Sequence, residues 1–208
     1  MGINDYRRKQ FLDPDRKRGD YETCRTQDWI MDAPDYLALK FRCKNGDYQT
    51  YSVGAAVDVP IMRLEELYLI RAEAAGMSQS LAAGVKYLTE FVQKNRDLAY
   101  KCNATTTREL QLAVLDQMRI EFWGEGNAFP SAKRIQPGII QNYTGTNAPA
   151  DIFKINCKGI KPNWNLVIPI NETQSNQAIA GFNNPDPTSA IKGPSPINEY
   201  AEGKYDNK

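Results

Sequence analysis

Apolar residues recur at helical spacing along three consecutive stretches of the chain, and that spacing is lost afterwards. The first stretch predicts a helix from about Pro60 to Ala75, with proline in the first turn, where a missing N–H costs nothing. Ile61, Leu64, Tyr68, Ala72 and Ala75 form its stripe, and Gly76 is placed to stop it. Alanines at 72, 74 and 75 leave room for a neighbouring helix to approach. The second predicted helix runs from about Ser80 to Ala99, with Leu81, Val85, Leu88, Val92 and Asn95 along one face. The third starts at Thr106, with Glu109 three residues on completing a capping box. Leu112, Leu115, Met118 and Phe122 carry it to the helix-breaking Gly124 and Gly126.

Around these helices the pattern is different. Residues 1–34 are rich in charges and turn formers, as in Arg7-Arg8-Lys9 and Arg16-Lys17-Arg18, and read as an irregular, solvated segment. Residues 35–54 predict a hairpin: Tyr36, Leu37, Leu39 and Phe41 lead into Asn45-Gly46, a pair suited to a type I′ turn, and Tyr48, Tyr51 and Val53 follow. Residues 127–208 hold proline, glycine and asparagine every few positions. They read as a loop-rich wrap, with brief strands at Ile152-Phe153-Lys154-Ile155 and Leu166-Val167-Ile168. The expected organisation is a single domain over 1–208, with helices in 60–126.

Composition excludes more than it proposes. Twenty-six basic and 25 acidic residues nearly cancel to a net charge of +1, which leaves no electrostatic footprint for nucleic acid. The 208 residues include no histidine, so histidine triads, histidine metal sites and the usual neutral-pH base are ruled out. Cys24, Cys43, Cys102 and Cys157 stand far apart without a C-x-x-C pair, which fits no zinc knuckle. Disulfides and buried free thiols both stay open. Nothing points to a cofactor or metal. No run reaches the ~18 apolar residues of a spanning helix. Met1-Gly2-Ile3-Asn4-Asp5 is unlike a signal peptide, and Tyr21-Glu22-Thr23 before Cys24 is unlike a lipidation site.

Three ordered segments resemble the C-terminal region of SusD/RagB proteins. Val59-Pro60-Ile61-Met62-Arg63-Leu64-Glu65-Glu66-Leu67-Tyr68-Leu69-Ile70-Arg71-Ala72-Glu73-Ala74 is similar to the family helix P-x-x-R-x-x-E-x-x-L-x-x-A-E-A. Met118-Arg119-Ile120-Glu121-Phe122-Trp123-Gly124-Glu125-Gly126, with Lys133-Arg134 beyond, resembles the R-x-E-(aromatic)-x-x-E-G stretch. Asn165-Leu166-Val167-Ile168-Pro169-Ile170, then Asn176 and Asn183-Asn184-Pro185, resembles the closing I-P-x-x-E and N-P signatures. The likeness covers roughly residues 35–187. The chain departs from the pattern at Asn127, Phe129-Pro130 and Ile135, where the family usually has arginine, aspartate-leucine and tryptophan.

The resemblance implies a mainly α fold of tetratricopeptide-like helix pairs, with a small hairpin and a long loop-rich C-terminal segment. Arg63, Glu66, Glu73, Arg119, Glu121, Glu125, Arg134 and Pro169 are its structural motif residues. It also implies a non-catalytic protein of the outer-membrane surface that captures oligosaccharides, or less often peptides, for a TonB-dependent, SusC-like transporter. Membrane attachment is expected only through a lipidated N-terminus, and the family's N-terminal half and export signal are not recognisable in the sequence.

Candidate chemistry adds two rival readings. Glu121 and Glu125, four apart on one helix face, have the spacing of an acid–base pair for a glycoside hydrolase. The stronger reading is structural, with Arg119, Lys133 or Arg134 neutralising them. Arg63 and Glu66, three apart, are placed to pair on the surface. An intracellular helical-repeat scaffold is the other rival. Sugars stack their apolar C–H faces on exposed aromatics. Trp123 is expected in the core and Trp164 in the closing loop. Trp29, with Tyr21 and Arg25 nearby in a polar segment, is the candidate for ligand contact.

Overall fold

The computed structural model of the chain describes residues 1–2, 4–12, 14, 35–41, 60–146, 155–159 and 166–183. Among these residues it is mainly helical, with one small antiparallel sheet. Two compact units emerge, Met1–Ser131 and Ala132–Lys208. The Asn45-Gly46 turn with its following strand, residues 152–154, Trp164 and everything beyond Asn183 lie outside the described residues.

Among the described residues of the first unit stand three α-helices of equal length: α1 (Leu64–Ser78), α2 (Leu81–Asn95) and α3 (Thr107–Glu121). Only Gln79 and Ser80 separate α1 from α2, so the two form the expected antiparallel hairpin. The Ser80 hydroxyl caps α2 by accepting from the Ala83 N–H at 3.1 Å. Thr106 and Glu109 form the reciprocal capping box of α3. Leu69, Ala72, Leu88, Phe91, Val92, Leu110, Val114, Met118 and Phe122 make the shared core.

Gly76 does not stop α1. It lies inside the helix, buried, against Gly84 of α2. A Cβ on Gly84 would come within 2.7 Å of the Ala72 carbonyl oxygen and of the Gly76 Cα, so the two backbones touch where side chains are absent. That contact rotates α1 from the predicted stripe. Leu69, Ala72, Ala75 and Gly76 face inward, while Leu64 and Tyr68 are exposed and Ile61, before the helix, is 95% exposed. Helix α1 is apolar on more than one side, so periodicity placed Ala72 and Ala75 in the core correctly but put Leu64 and Tyr68 there as well.

The N-terminal segment also differs from expectation. Residues Tyr6–Gln10 form a 3-10 helix capped by Asp5, and Arg7 and Leu12 are among the most buried side chains of the protein. The Tyr6 N–H donates to the Arg96 carbonyl at the end of α2 at 2.9 Å. Residues 10–12 then pair with 36–39: Leu12 N–H donates to the Leu37 carbonyl at 2.8 Å, and Leu39 N–H to that of Gln10 at 2.7 Å. Leu12 and Leu39 become buried as a result.

Helix α3 ends as the glycines predict. Gly124 takes φ +77°, and a Cβ there would lie 2.3 Å from the Phe41 ring, so conformation and space both require glycine. A fourth helix, α4 (Ala128–Ile135), then forms where only loop was expected. Pro130 sits in its first turn, which tolerates the missing N–H, and Ile135 is buried at its end.

In the second unit, strands β1 (Ile139–Ile140) and β2 (Asn156–Cys157) pair with Ile139 opposite Cys157. The Asn156 side chain accepts from the Gln141 and Asn142 N–H groups and donates to the Asn142 carbonyl at 3.0 Å. Leu166-Val167-Ile168 is not a strand. It leads through Pro169 into the short α5 (Ile170–Ser175), and a 3-10 helix spans Gln177–Phe182. Asn183 closes this turn of chain: its side chain accepts from the Ile168 N–H at 2.7 Å and donates to the Ile168 carbonyl at 3.1 Å.

Candidate functional site

The chemistry of the first unit concentrates on one buried ionic network at the end of α3. Gln117 and Glu121, four apart, form a polar line beside the apolar stripe of α3. Glu125, expected on the same helix face, instead lies beyond the helix end, in the bend after Gly124. The Glu121 side chain is 2% exposed and meets three guanidinium groups. Arg96 holds it through Nε and Nη2, each at 2.8 Å, Arg63 at 3.2 Å and Arg7 at 3.4 Å. Glu125 takes Lys40 and two contacts from Arg63, at 2.9 and 3.0 Å. Arg96 also reaches Glu65 at 3.0 Å, and Arg7 closes on Asp5 at 2.7 Å and on the Gln117 side-chain oxygen at 2.7 Å.

Four cations (Arg7, Lys40, Arg63, Arg96) therefore meet four carboxylates (Asp5, Glu65, Glu121, Glu125). The same cations cover the open end of α3. Lys40 donates to the Glu121 and Trp123 carbonyls at 2.9 and 3.1 Å, and Arg63 to that of Glu121 at 2.8 Å. These are carbonyls that a helix end leaves without intrahelical partners, and positive charge there also suits the helix dipole.

Burial opposes ionisation of Glu121. The hydrogen bonds and charge of Arg96, then of Arg63 and Arg7, outweigh it and hold the carboxyl below the ordinary glutamate value. Asp5 behaves alike: burial raises its pKa, and the Arg7 hydrogen bonds more than reverse this. Arg63 and Arg96 are pushed up, burial being outweighed by the glutamates in Arg63, while the Glu121 hydrogen bond leads in Arg96. A glutamate held ionised by three guanidiniums has no proton to lend near neutral pH, and its oxygens are occupied. Its geometry is that of an anchor, not of a general acid.

The neutralising partners differ from those the sequence suggested. Arg119 is exposed and pairs loosely with Asp116 at 3.8 Å, three residues back on its own helix. Arg134 is an exposed residue of α4. Arg63 is taken by Glu65, Glu121 and Glu125, so the expected surface pair with Glu66 is replaced by a buried one. Glu73 is buried on α1 and accepts from the Gln111 side chain at 3.1 Å. Pro169 caps α5 in the second unit. Arg7, Lys40 and Arg96 were not singled out by sequence. Glu121 and Glu125 signal that cations must face the end of α3, but not which ones.

Trp123 is 43% exposed, whereas its neighbour Phe122 is the core residue at 1%. The indole meets Phe11 edge-on, with centroids 5.4 Å apart. Trp29, Tyr21 and Arg25 lie outside the described residues. Cys102 and Cys157 are free thiols, while Cys24 and Cys43 are not described. Among the described residues no cluster of three metal-ligating side chains occurs, and no helix is long and apolar enough to cross a membrane.

A second feature lies on the α1–α2 hairpin: a cleft of about 360 Å³ beside the network. Tyr68 and Phe91 stack across its floor, with centroids 5.4 Å apart and planes at 19°. The Arg71 guanidinium lies over the Tyr87 ring at 3.9 Å. Glu65 and Arg96 line the cleft and also belong to the ionic network.

A helix hairpin closed by a third capped helix, with an ionic anchor at its end, defines a helical-repeat fold. Residues 19–192 match the model of the SusD family, and the chain belongs to that family, whose fold is helical and tetratricopeptide-like. Membership carries a general role in glycan binding and nutrient uptake. No curated protein and no solved structure matches the chain.

Proposed function

We propose that this chain is a non-catalytic oligosaccharide-capture protein that serves a TonB-dependent transporter at the outer-membrane surface. The observation that carries this reading is the family match over residues 19–192, most of the chain. The anchor role of Glu121 supports it, because the carboxylate pair that a hydrolase would need is spent on arginines. Capture then proceeds by contact and release, with no bond made or broken. The segment bearing Tyr21, Arg25 and Trp29 contributes aromatic contact to ligand in this reading.

Calorimetric titration of the chain with a panel of oligosaccharides, followed by assay of the same mixtures for new reducing ends, tests the proposal. Binding without cleavage is expected, as is co-purification with a TonB-dependent barrel. Cleavage that Glu121→Gln abolishes while its circular dichroism shows the chain still folded would replace capture with hydrolysis. Failure of every sugar to bind would remove the reading.

A further inference from the structure

We propose that the α1–α2 cleft is a subsite for an acidic oligosaccharide, one carrying a carboxylate or sulfate on its ring; this rests on the capture reading and deepens it.

The cleft follows the hairpin. Leu64, Tyr68 and Arg71 mark one wall at positions i, i+4 and i+7 of α1, and Tyr87, Phe91 and Lys94 mark the other on α2. Because the helices run antiparallel, Arg71 stands opposite Tyr87 and Tyr68 opposite Phe91, which leaves Lys94 toward the other end. Seven residues at 1.5 Å rise give a groove roughly 10 Å long, enough for a short oligosaccharide.

Its floor suits a sugar ring. One face of Tyr68 is spent on Phe91, which fixes the ring, and the side chain remains 43% exposed toward solvent. A rigid, half-exposed aromatic offers the apolar C–H face of a pyranose a surface at low entropic cost.

The charges select among sugars. Five ionic side chains line the cleft: Arg71, Lys94, Arg96, Glu65 and Glu90. Arg96 is committed to Glu65 and Glu121, and Glu90 faces Lys86 at 3.8 Å. Among the described residues, Arg71 and Lys94 have no carboxylate partner. Arg71 moreover sits over the Tyr87 ring, its guanidinium carbon 3.9 Å from the ring centre, and a guanidinium fork suits an oxyanion. Two uncompensated cations flanking an aromatic floor favour a ligand that brings negative charge beside an apolar face.

The test titrates the full chain with three probes: an oligogalacturonide, a sulfated oligosaccharide and a neutral oligosaccharide of equal length. Tyr68→Ala, Arg71→Gln and Lys94→Gln are compared with Arg119→Gln, which lies outside the cleft, and thermal midpoints check folding. We expect one or both acidic probes to bind more tightly than the neutral one, and less tightly as salt is added. Each of the three cleft variants should weaken that binding by about threefold to tenfold, with Arg119→Gln unchanged. Which acidic probe binds separates carboxylate from sulfate recognition. Acidic binding indifferent to the cleft variants would overturn the inference, and so would preference for the neutral sugar, while both leave oligosaccharide capture standing. Absence of binding to all three probes would overturn the subsite, and capture itself falls only if the wider oligosaccharide panel also fails to bind.

Discussion

Arg7 and Glu121 lie 114 positions apart in sequence, yet their charged groups meet at 3.4 Å with both side chains 2% exposed. The contact ties the N-terminal 3-10 helix to the end of α3. Such a pair need not be worth much against an apolar substitute, because burying both ions is costly. Its importance lies in what remains when one partner is removed.

Glu121→Gln therefore leaves Arg7, Arg63 and Arg96 facing a neutral amide in a buried site. A loss of about 3–5 kcal/mol is expected, as for other broken buried pairs. Urea denaturation followed by far-UV circular dichroism measures it, and a loss under 1 kcal/mol would mean the network is dispensable.

The motif arginine that sequence favoured behaves differently. Arg119 is exposed and pairs with Asp116 at 3.8 Å, so Arg119→Ala should change stability by no more than about 0.5 kcal/mol. Arg96→Ala, which strips two hydrogen bonds from Glu121, should cost roughly 3 kcal/mol. Equal effects of the two substitutions would contradict the geometry.

At the helix crossing, Gly84→Ala and Gly76→Ala separate backbone contact from side-chain contact. A Cβ on Gly84 meets backbone at 2.7 Å, which cannot yield cheaply. On Gly76 the nearest atom is a Leu110 methyl, which can rotate away. Alanine improves helix propensity by about 1 kcal/mol at either site. We expect Gly84→Ala to be net destabilising by about 1–3 kcal/mol, and Gly76→Ala to be clearly milder. Calorimetric midpoints of the two variants give the comparison.

Acid should weaken the first unit before neutral pH matters. Glu121 and Asp5 have pKa values held below their unfolded values of about 4.5 and 3.8. Their contribution is complete above those values and is lost as pH falls through the lower, folded ones. Denaturant midpoints should be flat from neutral down to about pH 5 with respect to these groups, then decline steeply. In Glu121→Gln the decline should be shallower.

In the second unit, Asn183→Ala removes both hydrogen bonds to Ile168. Amide exchange at Ile168 should accelerate at least tenfold, read by hydrogen–deuterium exchange, because each bond is worth about 1 kcal/mol. Unchanged exchange would show that the clasp is not closed in solution.

Much of the helical framework was legible in sequence for local reasons. The Thr106–Glu109 box, the stop at Gly124 and the spacing of Leu88 with Val92 depend on neighbours within a turn or two. The errors arose where a residue's role depends on something distant. Gly76 looks like a terminator until Gly84 is seen against it. Arg7 looks solvated among Arg8 and Lys9 until Glu121 is seen beneath it. Trp123 and Phe122 are adjacent aromatics, and only the direction in which α3 ends decides which one enters the core.

The sequence by itself determined the three helices, the Thr106–Glu109 cap, the family and the two glutamates near the end of α3, because hydrogen bonding and periodicity act over a few residues. The tertiary structure alone decided which cations meet those glutamates, which side of α1 is buried and where an aromatic cleft opens. Those outcomes depend on how segments far apart in the chain approach in space, and local spacing holds no record of that approach.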